Sequence, residues 1–119
     1  MASRFSGLDL PSSGEVLQFE DEASGLVGED LFVRVVLRYE NEDFSGLLVQ
    51  AASRGYTRVP EGVSYAEAVS RLSLPEVVWD LLRDVESGLV KYEAHSESSW
   101  SVAVLDRMKR TLTVEYVII

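Results

Sequence analysis

The chain has one histidine, His95, and it stands directly before a hydroxyl, a carboxylate and two further hydroxyls: Ser96, Glu97, Ser98 and Ser99. Serine, imidazole and carboxylate are the parts of a nucleophilic triad, in which the imidazole takes the hydroxyl proton and the acid orients the imidazole. The spacing does not suit that chemistry. Neighbours on one strand alternate between faces and cannot converge on one reacting atom, and no Gly-x-Ser-x-Gly turn presents a strained serine. His95 reads as an exposed turn residue.

Other chemistries lack their parts as well. One histidine and no cysteine leave a zinc site dependent on carboxylates. The oxygen-rich runs Glu20-Asp21-Glu22 and Glu40-Asn41-Glu42-Asp43 lack the Asp-x-Asp-x-Asp-Gly spacing that wraps a loop around calcium. Gly25-Leu26-Val27-Gly28 matches neither the dinucleotide fingerprint nor the phosphate loop. Among 20 acids some pairs must lie close, so paired carboxylates carry no specific pointer to glycoside hydrolysis. The expectation is a protein that is not an enzyme and that uses no cofactor and no metal.

Arg34 and Arg38, four apart, point the same way if their segment is a strand, and they could hold an anion. Their commoner use is in cross-strand ion pairs, with the stems covering apolar surface. Arg107, Lys109 and Arg110 read as solubilising charge beside an apolar strand. Trp79 falls at the edge of a helical stripe, and Trp100 shares a strand face with Val102 and Val104. Tryptophan fills cores more often than it anchors partners, but it is enriched where partners bind.

The elements that position these residues follow from periodicity. With 119 residues, 46% hydrophobic and 26% charged, the chain suits one globular domain with a continuous core. Residues 1–14, rich in Ser, Gly and Pro, read as an irregular N-terminal arm, and residues 15–119 as a single α+β domain. Glu15–Glu20 reads as a short strand and Asp21–Gly28 as a loop. Asp30–Glu40 is the clearest strand, with Leu31, Val33, Val35, Leu37 and Tyr39 on one face. Glu40–Asp43 then reads as a turn and Phe44–Ala52 as a returning strand.

The period changes in the middle. Ser64-Tyr65-Ala66-Glu67 and Ser73-Leu74-Pro75-Glu76 match the capping box, so two helices are expected, the second closed by Gly88 as a left-handed cap. Leu89–His95, Ser99–Leu105 and Thr111–Ile118 then read as a three-strand meander. The predicted architecture is an antiparallel sheet in the order β-β-β-α-α-β-β-β with the helices packed on one face.

Charge sets the function classes. Eleven bases against 20 acids give a net charge of −9, which disfavours direct contact with nucleic acid or an anionic membrane surface and favours a basic protein partner. Residues 15–43 hold nine acids and two bases, a net of −7. No signal peptide or bilayer-length apolar run is present, so a cytoplasmic location is expected. The expected function is a small acidic protein-binding module. Glu20, Asp21, Glu22, Glu29, Asp30, Glu40, Glu42 and Asp43 would steer the partner, and Trp100 would anchor it. The general look is similar to that of small acidic immunity proteins, which dock onto nuclease-like toxins; no motif assigns the chain to a family. Two other readings are a homo-oligomer built through an edge strand such as Thr111–Ile119, and a small-ligand-binding domain with a pocket between sheet and helices.

Overall fold

The computed structural model describes residues 6–24, 30–59, 81–83 and 85–118, with residues 21–24, 30 and 31 described by their backbone. Among the described residues the strands are β1 (Glu15–Ser24), β2 (Asp30–Arg38), β3 (Thr57–Arg58), β4 (Gly88–Ser96), β5 (Ser99–Asp106) and β6 (Thr111–Ile118), and the helix α1 spans Asn41–Ser53. All six strands join one antiparallel sheet in the order β1-β2-β6-β5-β4-β3. The mixed α+β class and the meander β4-β5-β6 agree with the sequence pattern.

The largest correction is at residues 41–53, a helix where a turn and a strand were expected. Phe44, Leu47 and Ala51 are its buried residues, a three-then-four spacing that lines one helical face. Glu42 and Asp43 place negative charge in its first turn, where the helix dipole favours it. Its exit is a Schellman turn: Gly55 adopts φ 85°, and the Tyr56 N–H donates to the Ala51 carbonyl at 3.3 Å. β1 also runs on to Ser24, through residues expected to loop.

Both faces of the sheet are apolar at its centre, and this decides where the covering elements go. One face presents Ala103, Leu105, Leu112 and Val114 to Phe44, Leu47 and Ala51 of α1. The other presents Val90, Val102 and Val104 to Val59, Leu81, Leu82 and Val85. The covering segments therefore lie on opposite faces, α1 on one and Val59 with Leu81, Leu82 and Val85 on the other. A strand such as β5, buried on both sides over most of its length, needs cover on both. Leu81 and Leu82 are helical; the expected helix at 64–72, both capping boxes and Trp79 lie outside the described residues. Gly88 opens β4 and caps nothing: a Cβ there would lie 2.0 Å from the Leu105 carbonyl oxygen, so the close approach of β4 to β5 excludes a side chain.

Of the N-terminal arm, the described residues 6–14 are docked, and Ser6 is helical. Leu8 is 1% exposed inside the α1 core. Tyr56 donates its hydroxyl to the Ser6 carbonyl at 2.6 Å, and Arg54 donates to the Gly7 carbonyl at 3.0 Å. Gln50 bonds both backbone groups of Asp9, at 2.8 and 3.1 Å, as a neighbouring strand would.

Candidate functional site

β1 is the long outer strand of the sheet, and among the described residues no strand pairs with its far side. The opposite edge is β3, only two residues long. Val16, Leu17 and Phe19 on β1 are 61%, 47% and 62% exposed. Large apolar side chains on an open edge are unusual in a monomer, since such an edge is a template for another chain. The register with β2 breaks between Val16 and Gln18, so Leu17 is an extra residue in a bulge. Val16 then pairs with Leu37 and Phe19 with Val35, placing both on the α1 face, whereas Glu15 and Glu20 pair with Arg38 and Arg34 on the other.

That second face is organised by charge. Glu20, Arg34 and Glu115 occupy one row across β1, β2 and β6. Arg34 forms an ion pair with Glu115, which is 7% exposed, and its guanidinium lies 5.5 Å from the Phe32 ring centre. Burial holds the Glu115 carboxyl above the ordinary carboxylate range; Arg34 opposes this through its hydrogen bond and charge, and Glu20 adds to it. A parallel row runs Glu15, Arg38, Thr111, with Arg38 bonded to Glu15 at 2.5 Å. Both arginines thus sit in cross-strand ion pairs. Both rows end on an acid at the open edge.

No protein-family model, curated protein or solved structure matches this chain.

The acidic residues singled out by sequence do not form one patch. Glu20, Asp21 and Glu22 lie on β1, and Asp30 begins β2. Glu40 and Glu42 are exposed and Asp43 is half-buried at the start of α1, beyond the other end of β2. At about 3.3 Å per residue, β2 separates Asp30 from Glu40 by roughly 30 Å. Asp43 accepts a hydrogen bond from the Ser13 hydroxyl, which ties it to the arm. Glu29 lies outside the described residues. Trp100 is half-buried on β5, opposite Ala94 and Val117. It stands three strands from β1, about 14 Å at ordinary strand spacing.

The sequence reading missed a second pairing. His95 Nε2 lies 2.8 Å from Ser101 Oγ, and the imidazole tilts against Tyr116 with ring centres 5.8 Å apart. Ser101 is 1% exposed, so His95 serves as the partner its buried hydroxyl requires. Glu93 pairs with Ser101, so strand alternation puts His95, two residues on, on the same face; the pairing of β4 with β5 that brings in this partner six positions on is not visible in the local pattern. A cleft of about 420 Å³ lies between the charged face of the sheet and Leu81 and Val85, with Lys109, Thr111 and Thr113 among its polar lining.

The strand Thr111–Ile118 is central, hydrogen-bonded to β2 on one side and β5 on the other. It cannot serve as the oligomerising edge expected of it, because its apolar residues are spent on two neighbours within the chain. No helix among the described residues is long and apolar enough to cross a membrane.

Proposed function

We propose that this protein is a small acidic binding module that docks a basic protein partner, and that β1 is the docking element. The observation behind this reading is the combination found on β1: exposed Val16, Leu17 and Phe19 on an edge strand whose residues 15–24 include four acids and no base. Apolar side chains supply buried area, and the surrounding charge speeds encounter with a basic surface and selects against acidic ones. An immunity or inhibitor protein acting on a basic toxin is one member of this class. The same charge works against a homo-oligomer built on β1, since two copies of the strand would bring acids against acids.

The test places a photo-crosslinking residue at position 17 and exposes the protein to extract from its own source. The expected product joins β1 to a basic protein, and its yield falls as salt rises. No product, or a partner indifferent to both salt and Glu15→Gln/Glu20→Gln, sinks the reading.

A second reading, a small-ligand site, rests on the cleft beneath Leu81 and Val85. Its volume suits a small molecule, and Lys109 with two threonine hydroxyls suits a carboxylate. Thermal denaturation against a panel of small carboxylic acids tests it; no stabilisation lost on Lys109→Met removes it.

A further inference from the structure

We infer that β1 receives its partner as an added strand, and that this strand carries two basic side chains four residues apart on one face with apolar side chains on the other. The inference rests on the proposed docking role of β1 and specifies its chemistry.

Two rows of side chains cross the charged face and stop at the open edge. The first alternates in sign, Glu115, Arg34, Glu20, and the second ends Arg38, Glu15. A further strand continuing the alternation presents a cation beside Glu20 and another beside Glu15, since opposite charges on neighbouring strands stabilise a sheet and like charges destabilise it. Glu15 and Glu20 are five apart in sequence, yet the bulge at Leu17 absorbs one residue, so their partners on β2 are four apart. A regular strand on the outer side meets the same spacing, about 13 Å.

The opposite face sets the remaining positions. Val16 and Phe19, directed to the α1 face and more than half exposed, need apolar neighbours to lose contact with water. The partner segment therefore alternates, basic on one side and apolar on the other, as Arg34-Val35-Val36-Leu37-Arg38 does on the inner side of β1. The outward N–H and C=O groups of β1, which face no strand among the described residues, supply the main-chain bonds. A second copy of the chain fits poorly as the occupant, because its own open strand is acidic.

A fluorescent peptide containing Arg-Val-Thr-Val-Arg is the probe, read by anisotropy, with backbone amide exchange followed on the full chain. The expected result is saturable binding that protects alternate β1 amides and weakens about tenfold or more in Glu15→Gln/Glu20→Gln. A control peptide with the two arginines adjacent should bind more weakly by a similar factor. Peptide binding that leaves the β1 amides unprotected overturns strand addition, while the acidic docking role stands. Failure of the peptide alongside a crosslinked basic partner has the same meaning; failure of both overturns the docking role too. Protection of β1 that grows with protein concentration alone, without peptide, overturns the inference in favour of self-pairing.

Discussion

Replacing Arg34 with methionine removes the guanidinium that compensates the burial of Glu115 while keeping a stem of similar length. Glu115 is 7% exposed and its carboxyl is already held above the ordinary range by burial, with Arg34 as the group that lowers it. Breaking one side of a buried pair costs about 3–5 kcal/mol. Since 32% of the Arg34 side chain is open to water, solvent screening brings the expected loss below that range, to roughly 2–3 kcal/mol near pH 8. The pH dependence has a definite sign. The folded chain binds the Glu115 proton more tightly than the unfolded chain does, so protonation favours folding. This group's contribution to stability rises as pH falls through its raised folded pKa and levels off below the ordinary carboxylate value. Loss of Arg34 raises the folded pKa further and widens that window. Urea denaturation of wild type and Arg34→Met at about pH 8 and about pH 5 should therefore show a loss that shrinks markedly on acidification. The double variant Arg34→Met/Glu115→Leu should recover to within about 1 kcal/mol of wild type, because an apolar pair needs no compensating charge. A loss under about 1 kcal/mol, or one equal at both pH values, would refute the account of Glu115 as a costly buried acid held by Arg34.

Two further substitutions probe the fold. Leu8→Ala should cost about 2–5 kcal/mol although it lies in the arm, since Leu8 fills the α1 core; a thermal shift no larger than for an exposed residue such as Val49→Ala counts against a docked arm. Gly88→Ala should destabilise by roughly 1–3 kcal/mol or more, because its methyl group meets the Leu105 carbonyl at 2.0 Å; unchanged denaturation would mean that β4 and β5 separate there at little cost.

The strands were legible where one periodicity ruled. Leu31 to Leu37 alternates in the sequence and forms β2, and the three C-terminal strands appear within a residue or so of their expected bounds. α1 was misread because Phe44, Leu47, Leu48 and Ala51 lie in a short apolar run that satisfies both periods; Glu42, Asp43 and the exit glycine Gly55 were the signals that favoured a helix. The bulge at Leu17 and the reach of Tyr56, Arg54 and Gln50 to the arm depend on contacts distant in sequence, so the local pattern could not reveal them. The open edge is half legible. The acids of β1 were seen, whereas the exposure of Val16 and Phe19 follows from strand order, which placed Thr111–Ile118 at the centre and Glu15–Ser24 outside.

The central position of β6 has a consequence for assembly. The pair β1-β2 and the group β3-β4-β5 touch through this one strand in the sheet, and its partners are far apart in the chain, 81 residues for Arg34 and Glu115. During synthesis the two halves can each form a hairpin, but they cannot be joined until residues 111–118 have emerged. Until then β2 and β5 each expose an unfilled edge, which makes this interval the one in which the nascent chain is most open to misassembly and a holdase would matter most. A chain truncated before Thr111 should behave as two unjoined fragments, and a separately supplied β6 strand should be able to bring them together.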